Sequence, residues 1–108
     1  MTAAGKDSSK TVKVVDEVAV IRCVTGDGLV REEVWEDASG QVVRFNLAFI
    51  NHRLFAGDNG RVLGYDNAHG AAHRHFAGKV ETIAQEPCRA RLDRFLDELD
   101  RLRKLESI

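Results

Sequence analysis

An α+β fold, an antiparallel β-sheet of about five strands in meander order packed by a C-terminal amphipathic α-helix, follows from three observations in the sequence. Val43, Phe45, Leu47 and Phe49 fall on alternate positions, β-branched runs are separated by short Gly- and Asn-containing turns, and apolar residues recur every three or four positions after Pro87. Strands first and one helix last, with connections of turn length, select neighbouring antiparallel strands, because parallel ones need long crossovers.

The first ten residues, MTAAGKDSSK, are small, polar and charged with nothing to bury, so residues 1–10 read as a disordered tail and residues 11–108 as a single α+β domain. Val12 to Val24 is rich in β-branched residues and reads as the first strand, with Val18, Val20, Arg22 and Val24 on one face. A Gly26-Asp27-Gly28 turn leads to a returning strand over Leu29 to Glu36, and Ala38-Ser39-Gly40 supplies the next turn. The strand carrying Val43 to Phe49 has the clearest alternation in the chain and is expected at the centre of the sheet.

Asp58-Asn59-Gly60 tolerates positive φ and turns the chain into Arg61 to Tyr65, where Leu63 and Tyr65 are expected on the core side and Asp66 on the other. The stretch that follows is either an exposed loop or the start of one further strand running through Lys79 to Ile83. Pro87 suits the first turn of a helix, whose apolar face is Cys88, Leu92, Phe95, Leu99 and Leu102. Asp97 with Arg101 and Asp100 with Lys104 stand one turn apart on its polar side, and Leu96 and Leu105 widen the apolar surface.

With 44% hydrophobic and 31% charged residues and a formal net charge of −1, the 108-residue chain has the composition of a soluble domain without a whole-molecule field for nucleic acid. No apolar run approaches the roughly 18 residues of a membrane span, and the N-terminus lacks a signal-peptide core, which points to the cytoplasm. Cys23 and Cys88 are too far apart for a zinc or redox motif and are expected to be small buried side chains.

Chemistry concentrates in YDNAHGAAHRH, Tyr65 to His75, which holds His69, His73 and His75; His52 stands upstream as a surface histidine. Histidine titrates nearest neutral pH and serves as general acid, general base or metal ligand. Asp66, His69, His73 and His75 offer metal-ligand types, but their spacing matches no metal motif, and neither a strand nor a helix puts all three histidines on one face. His73 and His75 do share a strand face. Two histidines with Arg74, or one histidine with Tyr65 and Arg74, are also the types needed to cleave RNA, with a base for the 2′-hydroxyl, an acid for the leaving oxygen and a cation for the phosphorane. The bland alternative is mutual satisfaction, with Asp66 capping amides, Asn67 making a turn and Tyr65 in the core.

DNGRVLGYDNAHGAAHRH, Asp58 to His75, resembles the signature of the TumE family of small toxin-like proteins, and the upstream FNLAFIN and downstream Gly78-Lys79 extend the likeness over roughly residues 18–106. Ala72 stands where the family pattern has another histidine or a bulky polar residue, which speaks against a multi-histidine metal site. The resemblance implies the toxin of a type II toxin–antitoxin module, neutralised by a helix-turn-helix antitoxin and acting on RNA or translation. By motif it carries functional roles onto Asp66, His69, His73, Arg74 and His75; the expected division is His69, His73, His75 and Asp66 as catalytic residues and Arg74, Asn67 and Tyr65 as substrate-binding ones. The expected chemistry is a metal-independent endoribonuclease without cofactor; a non-catalytic protein- or RNA-binding module is the alternative, and a small metal-binding protein the third reading. A homodimer fits the apolar seams as well as an antitoxin complex does, and no membrane partner is expected.

Overall fold

The computed structural model describes residues 10–68 and 70–108, so most of the expected tail and His69 lie outside the described residues. One six-stranded antiparallel sheet in strictly sequential order carries a single helix on one face. Its strands are β1 (Thr11–Ile21), β2 (Gly28–Asp37), β3 (Val42–Ile50), β4 (Arg61–Asp66), β5 (His73–Phe76) and β6 (Lys79–Thr82), and the helix is α1 (Cys88–Leu102). No described helix is long and apolar enough to cross a membrane.

The expected alternation places the core. Phe45, Leu47 and Phe49 of β3 and Leu63 and Tyr65 of β4 are buried beneath Phe95, Leu99 and Leu102 of α1, and Tyr65 meets Phe95 edge to face with ring centroids 6.0 Å apart. Val43, at the start of the same alternation, is exposed because β3 there runs beyond the end of β4. The far end of α1 is tied to the β1–β2 connection by the Val24 amide, which donates to the Arg103 carbonyl at 2.9 Å. Asn51, nearly fully buried, staples that connection to the end of β3: its Nδ2 donates to Thr25 Oγ1 at 2.9 Å while its Oδ1 accepts from the Arg53 and Leu54 amides.

Three expectations change. β1 ends at Ile21, so Val24 does not share its face. The stretch from the histidine segment to Ile83, open between an exposed loop and one further strand, is a hairpin, β5 and β6, which raises the count to six. Its two-residue loop, Ala77-Gly78, has φ of 49° and 84°, the conformation that favours Asn or Gly at the first position; alanine gives no sequence signal for it. Finally, Cys88 is exposed and Cys23 only half-buried. Cys88 precedes the part of α1 that meets the sheet, and the first buried position of the helix is taken by Arg91, whose guanidinium lies over the Phe45 ring at 4.2 Å. On the polar side Asp100 pairs with Lys104 at 3.1 Å and with Arg103 at 3.0 Å.

Alanine in the left-handed region costs about 1 kcal/mol against a residue suited to it. Ala77→Asn is therefore expected to stabilise the fold by about that amount, read as a higher urea midpoint with an unchanged slope.

Candidate functional site

Strand pairing sorts the histidine segment onto two faces. Asp66 lies opposite His73, and Gly64 opposite His75, so Asp66, His73 and His75 stand on the face of the sheet away from α1. Tyr65 lies opposite Arg74, and Leu63 opposite Phe76, on the helix face. Two-residue periodicity thus brings together three of the expected catalytic residues and separates them from the expected phosphate ligand.

On the open face a different arginine joins them. β4 pairs Leu63 with Phe49 but Arg61 with Ile50, so Val62 is the extra residue of a bulge and Arg61 emerges on the opposite side from Leu63. Its side chain then crosses Gly64, where an added Cβ would come within 2.7 Å of Arg61 Cδ. The absent side chain at Gly64 is what lets the guanidinium reach its partners. Arg61 Nε donates to Asp58 at 2.8 Å, one terminal nitrogen stands 3.5 Å from Asp66 Oδ2, and the other contacts His75 Nδ1 at 3.1 Å.

A guanidinium only donates, so Nδ1 of His75 is the acceptor and a neutral ring carries its proton on Nε2. Nε2 is 2.8 Å from Asp66 Oδ2, yet the carboxylate is off the N–H direction and this buried nitrogen has no aligned hydrogen-bond partner. An unpaired buried donor costs about 1–3 kcal/mol. Asp66 Oδ1 meanwhile accepts from the Ala68 amide at 3.3 Å. The His73 ring lies beside His75, with centroids 6.5 Å apart and planes tilted by 56°. Arg61, Asp66, Ala68, His73, His75 and Val80 line an open cavity of about 440 Å³.

The remaining expected site residues are engaged elsewhere. Asn67 completes the edge of β3 beyond the end of β4: its Oδ1 accepts from the Phe45 amide at 2.9 Å and its Nδ2 donates to the Val43 carbonyl at 3.1 Å. Arg74 is clamped to Glu98 of α1, its Nε 3.1 and 3.2 Å from the two carboxylate oxygens, and the Tyr65 hydroxyl donates to the same carboxylate. Burial pushes the Tyr65 hydroxyl up to about 12, with the neighbouring Glu98 charge acting in the same direction. Burial also opposes ionisation of Glu98, but the hydrogen bonds from Arg74 and Tyr65 outweigh it and hold the carboxyl below its ordinary range. That polar clasp fixes α1 to β4 and β5 beside a second cavity of about 340 Å³ on the helix face. His52, with its ring over Gly60, stays outside both groups.

Among the described residues, no group of three His, Cys, Asp or Glu side chains converges as a metal site requires. The positive charge beside Asp66 and His75 is the guanidinium of Arg61.

If Gly64 is the crossing point for Arg61, Gly64→Ala displaces the guanidinium and moves the ¹⁵N shift of His75 Nδ1 toward that of an unbonded acceptor, while the far-UV circular dichroism stays that of the folded sheet. The accompanying loss of stability should be on the order of 1–3 kcal/mol, as for other overpacked sites. An unmoved His75 shift in a folded variant would contradict the contact.

No family model, no curated protein and no solved structure matches the chain.

Proposed function

We propose that the protein is the toxin of a type II toxin–antitoxin module and a metal-independent endoribonuclease whose site is the open face of the sheet around Asp66, His73 and His75. The observation that carries this reading is the setting of His75, held through Nδ1 by Arg61, set against Asp66 through Nε2, and adjoining a second histidine in one open cavity. The genetic role and the helix-turn-helix antitoxin as partner rest on the resemblance of Asp58 to His75 to the TumE signature.

The groups present are those a 2′-hydroxyl transfer needs. One histidine takes the 2′-hydroxyl proton as that oxygen attacks phosphorus; the P–O5′ bond breaks, and the other histidine gives the leaving oxygen a proton, leaving a 2′,3′-cyclic phosphate and a 5′-hydroxyl. No water, metal or oxidant enters the balance. Two rings side by side can flank a phosphodiester, and Arg61 is placed to hold its non-bridging oxygens as negative charge develops. Asp66 positions the His75 ring. Arg74, spent on Glu98, is assigned to holding the helix rather than the phosphate. Binding without cleavage is the second reading, favoured by the contact of His75 Nδ1 with Arg61 and the burial of Nε2 beside Asp66.

Controlled expression is expected to arrest growth and fragment RNA, and His75→Ala or Arg61→Ala to lower cleavage by purified protein about a hundredfold or more, the range of a lost acid–base or charge-stabilising group. RNA retained by wild type and never cut would select the binding module; wild type that neither binds nor cuts RNA would overturn the assignment.

A further inference from the structure

The open face extends well past the histidines, and its rows of side chains run across the strands. Lys13, Trp35 and Arg44 stand opposite one another on β1, β2 and β3. In the next row are Asp16, Glu33, Asn46, Asp66 and His73, on β1 to β5. Trp35 is the single tryptophan of the chain. Its indole is flanked from the two neighbouring strands, with Lys13 Nζ at 5.0 Å and Arg44 Cζ at 4.8 Å from the ring centroid. A large aromatic side chain on the uncovered face of a sheet, only half-buried, lies where a folded core gains little from it.

A cavity of about 240 Å³ is lined by Trp35, Arg44 and Asn46 at one end and by Arg61, Asp66 and Ala68 at the other. Arg61, Asp66 and Ala68 also line the histidine cavity. The two hollows therefore adjoin along the wall formed by Arg61, Asp66 and Ala68 on the same open face.

We infer that Trp35 with Arg44 is a nucleobase-stacking subsite, and that single-stranded RNA lies across the open face with one base against Trp35 and an adjoining phosphodiester at Arg61 and the histidines. This rests on the endoribonuclease reading above and names the part of the substrate that the reading leaves unplaced. A base stacked on an aromatic ring is held more strongly than an exposed cation over the same ring, so an incoming base can displace Arg44 from the indole, and the displaced guanidinium meets the phosphate backbone while Lys13 stays on Glu33. Arg44 is exposed and held by the ring, which leaves its charge available to that backbone. Of the two carboxylates lining this path, Asp66 is paired with Arg61 at 3.5 Å, and Glu33 is clamped by Arg31, by Lys13 at 2.6 Å and by Asn46 at 2.9 Å, the guanidinium of Arg31 foremost holding the Glu33 pKa down to about 2. Their charges are thus matched from within the protein and do not repel a phosphate as unpaired carboxylates would. Double-stranded RNA does not suit the arrangement, since its bases are already stacked and paired.

With one tryptophan in the chain, fluorescence reports the subsite directly. The probes are four 2′-O-methyl homohexanucleotides, one for each base, which cannot be cleaved by attack of the 2′-oxygen, titrated into the full-length protein. Saturable quenching by at least one of them is expected, and Trp35→Ala and Arg44→Gln should raise the KM for cleavage of the matching RNA roughly tenfold with kcat retained. Arg44 is exposed, so the second variant keeps the test valid should loss of the indole disturb the sheet. His75-dependent cleavage with KM unchanged in both variants, or binding of the oligonucleotides without any change in Trp35 fluorescence, would overturn the subsite and leave the endoribonuclease reading standing. No binding and no cleavage of any RNA would overturn both.

Discussion

The proposed site depends on the register of β4. Leu63 and Tyr65 must face α1 to close the core, and the two-residue period then sends Gly64 and Asp66 to the opposite face. A one-residue slip would bury a carboxylate and expose a tyrosine, so the hydrophobic pattern fixes the site as firmly as it fixes the fold. The bulge at Val62 is the one departure from that period, and it delivers Arg61 to the open face. Gly64 then clears the path by which Arg61 reaches Asp66 and His75.

The two faces divide the polar residues between structure and proposed chemistry. On the helix face Tyr65, Arg74 and Glu98 satisfy one another, so the half-buried carboxylate of α1 is ionised and paired. Such a clasp contributes less to net stability than an apolar contact of the same size, but it fixes where α1 sits over β4 and β5, because removing one partner leaves a desolvated charge. On the open face the contacts are looser. His75 Nε2 lacks an aligned partner, His73 stands beside a cavity, and Trp35 is flanked by the side chains of Lys13 and Arg44. Groups that are incompletely satisfied by their own protein are the ones with capacity left for a ligand.

Much of the framework was legible in the sequence, and the reason is local periodicity. Alternation in β3, the Asp58-Asn59-Gly60 turn, the core positions Leu63 and Tyr65, the helix after Pro87, and the shared strand face of His73 and His75 all follow from neighbours a few residues apart. What escaped depends on contacts far along the chain or on a break in the period. Alternation alone puts Arg61 on the core side with Leu63 and Tyr65, and nothing in RVLGYD marks the bulge. Arg74 reads as a phosphate ligand until Glu98, 24 residues on, takes its guanidinium. Asn67 reads as a turn or substrate residue until its amide is found completing the edge of β3. Cys88 fits the helical seam by spacing, yet the helix meets the sheet only from Arg91 onward. The β5–β6 hairpin was hidden because Ala77 occupies a position at which Asn or Gly would have announced it.

The most direct test of a metal-independent acid–base site is the chemistry of the ends it leaves on RNA. Purified protein incubated with single-stranded RNA in excess chelator should yield 2′,3′-cyclic phosphate and 5′-hydroxyl termini at the rate seen without chelator, because the proposed attack by the 2′-oxygen draws on the two histidines and Arg61 and on no metal. Fragments ending in 3′-hydroxyl and 5′-phosphate, or cleavage abolished by the chelator, would contradict the account.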